Sequence, residues 1–245
     1  MSRKAQPSQG GGRPNSKGAG AQLTRIDRRR LGDLVYEAVR KGIVSGAFPM
    51  GSRLSEVRLA SDLGVSRAPV REALRRLAEE RLVVERPHLG AVVRELDASA
   101  LVDLYNVRAA IESLAIRLAT RRQMDTKPLK VLIKKMEVAA KSKDYAQVAR
   151  HELDFHSAIT KQCGNDLLID IFHGLEGQVL MGLALDDSGY PDLQEVAREH
   201  HPLVGVIESG DEQAAALLMQ DHILSTVGSL VSRLGGSPDE LIRPH

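Results

Sequence analysis

The chain has 245 residues, with 34 Lys and Arg against 32 Asp and Glu, one cysteine and no tryptophan. That length allows two ordinary domains; with 42% apolar but only 3% aromatic residues, the cores must be built from Leu, Val, Ile and Ala, which favours helices over a sandwich. Cys163 stands alone, which excludes an internal disulfide framework and fits a reducing cytoplasm, and the net charge of +2 is uneven: +9 over residues 1–95 and −7 over the remainder, so only the first part suits a polyanion.

Residues 1–30 read as a disordered basic tail. "GGGRPNSKGAG" cannot bury apolar area, and "RIDRRR" adds a positive cluster. The tail lacks the apolar run of a signal peptide, and no run approaches the length of a membrane span, so no membrane partner is expected.

From Leu31 to about Ser45 the positions Leu34, Val35, Ala38, Ile43 and Val44 recur at amphipathic-helix spacing. "GAFPMG" breaks that pattern. Ser55 can cap a second helix through "EVRLASDL", which ends at Gly64. Ser66 can cap a third, and Pro69 is tolerated because it falls in the first turn. "RLVVERPHLGAVVREL" then alternates as two short strands around a turn at Pro87–Gly90. Helix, helix, tight turn, helix and hairpin make a winged helix-turn-helix over residues 31–95. In "GVSRAPVREALRRLAEERLVV", Arg67 and Arg71 sit one turn apart at the start of the third helix, with Leu74 and Leu77 on another face. A recognition helix needs donors at that end and an apolar back, and arginine can pair bidentately with guanine or phosphate.

Residues 98–234 read as all-helical: 98–121, 127–141, 144–163, 166–185, 192–209 and 211–234, with breaks at "QMDTK", "CGND", "DDSGYPD" and "ESGD". Residues 235–245 read as a C-terminal tail. The fold class is therefore mainly α, a winged helix-turn-helix followed by an all-α bundle.

The stretch "VYEAVRKGIVSGAFPMGSRLSEVRLASDLGVSRAPVREALRRLAEERLVV" resembles the DNA-binding domain of the GntR family of bacterial transcription regulators. The stretches "LYNVRAAIESLAIRLA", "ELDFHSAITKQCGN" and "EHHPLVGVIESGDEQAAALLMQDH", in that order, resemble its FadR-type (FCD) effector domain. The resemblance implies DNA contacts from Ser66, Arg67 and Arg71, a phosphate contact from Arg58, and an approach of the wing through His88 and Gly90. The chain departs from the family pattern at Arg81, where glycine is common, and at Leu89, where arginine is common.

Glu152 and His156 lie at i, i+4 and share one helix face, and His200 and His222 fall on two later helices. A carboxylate with three imidazoles suits Zn²⁺, Ni²⁺ or Mn²⁺, although spacing alone also fits exposed or satisfied histidines. The resemblance implies the metal site, with Glu152 in place of the usual, shorter Asp. Asp154 points about 200° away around the helix and does not replace it. His151, His173 and His201 are left out. Arg108 matches the family arginine that faces the effector cavity; its alternative is a salt bridge to Glu112 at i+4. Asn165 reads as a helix cap first and an effector-pocket residue second. Together these features imply a non-enzymatic, ligand-responsive transcription regulator in the cytoplasm, a repressor acting as a homodimer on a palindromic DNA operator. Its effector is a small molecule, an organic acid held near a divalent metal ion. The alternative is a metal-dependent hydrolase fused to a DNA-binding module, which three histidines and a carboxylate would suit, but no HExxH-type general base is present.

Overall fold

The computed structural model describes Met1 and residues 28–185 and 192–242. Helix α1 (Arg28–Val44) opens the fold and takes up Arg28, Arg29 and Arg30, which the sequence assigned to the tail. Residues 2–27 of that tail lie outside the described residues. Helices α2 (Glu56–Asp62) and α3 (Arg67–Glu79) follow, then a hairpin of β1 (Val83–Arg86) and β2 (Gly90–Val93). The strands are antiparallel, with Val83 opposite Val93 and Arg86 opposite Gly90. Arg53 bridges to Val92, so the segment before α2 lies on the free edge of β2.

Ser55 caps α2 by accepting from the Arg58 amide. Ser66 occupies the N-cap position of α3 in extended backbone, yet its hydroxyl makes no capping hydrogen bond, contrary to the sequence expectation. Val70, Leu74 and Leu77 of α3 are buried with Val35, Val39 and Ile43 of α1, and this apolar back fixes the arginine-bearing edge of α3 outward.

The second part contains α4 (Ala98–Arg121), α5 (Lys127–Lys141), α6 (Tyr145–Lys161), α7 (Asp166–Leu185), α8 (Leu193–Ser209) and α9 (Glu212–Arg233). Asp97, Asp144, Asp192 and Asp211 each cap the following helix, so four of these starts are written in the sequence. The long pair α4 and α9 packs side by side, and α6 lies against α5 and α7. Helices α7 and α9 are long and apolar enough to cross a membrane, against the sequence expectation, but both lie half buried within the bundle. That is the pattern of core helices.

The expected C-terminal tail is docked for most of its described length. Pro238–Glu240 form a single 3-10 turn, Leu241 is buried, and Asn106 on α4 bonds the Glu240 carbonyl and the Ile242 amide. The two domains also touch. The Gln178 side chain of α7 donates to the Glu80 carbonyl at 3.1 Å, and Gly177 lies against Leu82.

Candidate functional site

Two places collect chemistry. The first is an open cleft of about 630 Å³ between α3 and the hairpin, lined among others by Arg53, Glu56, Arg67, Arg71, Arg75 and Gly90. Arg67 and Arg71 are exposed there, one turn apart, as the sequence indicated. Both are already paired: Arg71 makes two 3.0 Å bonds to the Glu56 carboxylate, and Arg67 makes one at 3.1 Å. The Arg71 hydrogen bonds hold the Glu56 carboxyl below its usual range. Arg75 pairs with Glu72 and Glu79, while Arg76 turns back to Asp33 and stacks over the Tyr36 ring. The four arginines of the motif therefore do three different things.

Arg58 does not line the cleft; it is exposed on α2 beside Asp62 at 3.7 Å. Arg53 takes a place there that the sequence reading missed. His88 stands at the wing tip with φ +66° and Gly90 with φ +74°, so the hairpin turn is built on left-handed backbone. Leu89 is exposed beside them.

The second place lies inside the helical domain. Arg108 and Glu112 of α4, Glu152 and His156 of α6, His200 of α8 and His222 of α9 are all buried. The donor nitrogens of His156, His200 and His222 lie within 4.8 Å of one another. Two of the rings are oriented through Nδ1. His156 Nδ1 meets Glu112 Oε2 at 2.5 Å, and His200 Nδ1 meets the Val196 carbonyl at 2.6 Å. The Nε2 atoms of both rings are buried without a hydrogen-bond partner. A buried nitrogen without a partner costs free energy, and two pointing into one cluster suit a shared cation. Burial also pushes all three imidazoles below their ordinary range, His200 to about 3, a shift toward the neutral form that ligates metal, while Glu112 opposes it at His156.

Glu152 is buried one turn from His156 and is not part of the 4.8 Å cluster that the three histidines form. Its negative charge instead acts on Arg108. Glu112 is the residue the sequence reading had only as an ion-pair partner. It accepts from Arg108 Nε at 2.6 Å through one oxygen and holds His156 with the other. Burial alone would raise its carboxyl; His156 and Arg108 outweigh that and hold it at about 2. The Arg108–Glu112 spacing was legible, but the link to His156 spans 44 residues and had no local signal. Asn165 spends its side-chain oxygen on the Leu168 amide, capping α7, and nothing places it at the cluster.

Comparison with known families decides what this pairing of parts is. Residues 31–93 match the model of the bacterial regulatory proteins of the gntR family, and residues 103–225 match the FCD domain. The chain belongs to the GntR family of bacterial transcriptional regulators. It is 29% identical over 217 residues to the "Probable D-xylose utilization operon transcriptional repressor" of Paenarthrobacter nicotinovorans, covering 88% of this chain and 96% of that one. It is 29% identical over 194 residues to the gluconate operon transcriptional repressor of Bacillus licheniformis, covering 76% and 79%. A GntR structure from Rhodococcus sp. RHA1 and E. coli McbR/YncC share the fold, each at 22% identity with a TM-score of 0.72. They cover 84% of this chain, and 97% and 99% of their own. As a GntR regulator the protein binds DNA and is not an enzyme, so the hydrolase alternative falls.

Proposed function

We propose that this GntR regulator is a repressor that binds a palindromic operator as a cytoplasmic homodimer and answers to a small organic acid bound in its helical domain. The observation that carries this reading is the coexistence of two exposed arginines at the start of α3 with a buried histidine cluster in the FCD domain. The repressor names of its relatives support the sign of regulation, and the gluconate regulator among them supports a carboxylate-bearing ligand.

Arg67 and Arg71 enter the major groove, with Ser66 on a phosphate and the wing residues His88 and Gly90 on the neighbouring groove. The uncapped Ser66 hydroxyl is compatible with that role. Arg58, exposed on α2, adds a phosphate contact. In the helical domain His156, His200 and His222 would hold a divalent cation, Zn²⁺, Ni²⁺ or Mn²⁺, with Glu152 nearby on the same helix. Such a cation supplies positive charge that attracts a carboxylate. Arg108, held in place by Glu112, presents a second positive group to the same anion, and Asn165, whose side chain caps α7, is the further pocket residue of this reading.

The test has two arms. Duplexes selected from genomic DNA are titrated with wild type, Arg67→Ala and Arg71→Ala; each variant is expected to lose discrimination of about 1–3 kcal/mol for a base pair contacted bidentately. Metal analysis after exposure to Zn²⁺, Ni²⁺ or Mn²⁺ is expected to give one ion per chain in wild type, and little in His200→Ala or His222→Ala. Glu112→Gln should weaken metal binding by about 10–100-fold through His156. Wild-type binding by both arginine variants overturns the DNA face, and equal metal in all variants overturns the cation site.

A further inference from the structure

Helix α5 carries a charge that the rest of its domain does not. Residues 127–143 hold six lysines and one glutamate, a net charge of +5, whereas the other residues from 96 to 245 sum to −12. Part of that charge is spent on α8, where Lys130 pairs with Glu208 at 2.6 Å and Glu137 stands 3.5 Å from His201. Lys134 and Lys135 instead border the groove between α5 and α6, exposed and without an ion pair among the described residues. The surface between the lysines is apolar. Val131 is 52% and Val138 67% exposed. They stand seven residues apart on one stripe of the helix, a separation of about 10 Å. With the buried Ala139 they line an open groove of about 450 Å³, bounded on its other side by Gln147 and His151 of α6. Single exposed valines are ordinary, but two in register beside unpaired lysines make an apolar seat ringed by positive charge.

We infer that this groove docks an acidic amphipathic helix of a partner protein. Such a helix sets two apolar side chains, also seven residues apart, over Val131 and Val138, and its carboxylates reach Lys134 and Lys135. Charge complementarity selects this occupant. The acidic remainder of the domain repels an acidic segment, and α5 is where that repulsion turns to attraction. A nucleic acid would meet the lysines but leave the valines without an apolar partner. A lipid surface is broad and flat where this site is a groove between two helices. The inference adds a protein partner to the DNA and the effector of the proposed function and depends on neither.

The full chain is titrated against a fluorescein-labelled, alanine-based helical peptide of about 16 residues. The peptide carries two leucines seven residues apart, with glutamates between and beside them. Two control peptides have glutamine for every glutamate, or serine for both leucines. By anisotropy, wild type is expected to bind the parent peptide, and each control about tenfold more weakly. Lys134→Glu/Lys135→Glu and Val131→Ser/Val138→Ser should each weaken the parent peptide by about tenfold as well. Both variants should keep the wild-type thermal melt and operator binding, because the four side chains are exposed and none lines the cleft at α3. Lys161→Glu, at the far end of α6, should leave peptide binding unchanged. Failure of wild type to bind the parent peptide, equal binding by the lysine variant, or equal binding of the serine peptide each overturns the proposal. A lysine variant that keeps the peptide but loses vesicles of phosphatidylserine and phosphatidylcholine, or a scrambled duplex, also overturns it, and makes the face a lipid or nucleic-acid contact.

Discussion

At the scale of single residues, the arginines of α3 show that a motif fixes where side chains stand but not what they touch before the ligand arrives. Arg67 and Arg71 share the Glu56 carboxylate, so DNA must compete with an existing pair of charge-assisted bonds. Phosphate alone offers these guanidiniums the same kind of bond that Glu56 does, whereas a guanine edge adds bidentate geometry. Glu56 therefore raises the threshold for non-specific binding. Glu56→Gln is expected to tighten binding to scrambled duplex more than to operator, narrowing the ratio by roughly tenfold. Anisotropy titrations over a salt series would show this, and an unchanged ratio would refute it. A second residue-scale effect lies at Arg81, where the chain departs from the family's glycine. Its φ of +57° is left-handed, a conformation that costs an L residue about 1–2 kcal/mol. Glycine would remove this strain, but its greater unfolded-state entropy offsets part of the gain. Arg81→Gly should therefore stabilise the protein by about 0.5–1 kcal/mol, seen as a melting temperature higher by about 2 °C.

At the scale of elements, the helices were legible from their apolar periodicity and the breaks between them. Asp97, Asp144 and Asp211 stand directly before α4, α6 and α9, and all three accept backbone bonds from the first turn, a signal present in the sequence that the reading by periodicity and breaks did not use. The hairpin was legible from its paired valines, which fall opposite one another. What remained hidden depended on distant parts of the chain. The three histidines come together only because α6, α8 and α9 cross, and Glu112 joins them from α4 through a contact that no spacing encodes. Glu152 shared the right helix face with His156, but periodicity gives direction around a helix and not reach, and it lies outside the cluster. The C-terminal segment is the other case: short, polar and rich in turn formers, it reads as a tail, yet Leu241 is buried while Asn106 and Gln220 bind its backbone. Leu241→Ala removes the apolar anchor of that turn and should cost about 2 kcal/mol. A melting curve that matches wild type would show that the segment is not a structural part of the fold.

At the scale of the whole molecule, the question is how an event at Arg108 and the histidines reaches the DNA-binding heads. The physical route on view is helix α7. Its apolar core positions pack beside α4, which carries Arg108 and Glu112, and its middle touches the winged domain. There Gln178 bonds the Glu80 carbonyl, and Glu80 in turn holds Tyr36 and Arg40 of α1. Next to it Gly177 lets the backbone of α7 approach Leu82, the first residue after the turn that ends α3. A Cβ at Gly177 would lie 2.8 Å from both Leu82 methyl groups, so a side chain there must displace the Leu82 side chain or move the head away from α7, and a branched one such as valine leaves the leucine least room to yield. Gly177→Val should cost about 1–3 kcal/mol as local overpacking. Its larger consequence concerns geometry. Two heads on a palindrome must keep one separation, and a head displaced from α7 loses that separation while its own recognition helix stays intact. Binding to an isolated half-site should therefore change little, while binding to the full palindrome weakens by about tenfold, and metal content stays at the wild-type level. Equal weakening on half-site and palindrome would show instead that the substitution damages the winged domain itself. Unchanged binding to both would mean that the α7–Leu82 contact does not set the spacing of the heads.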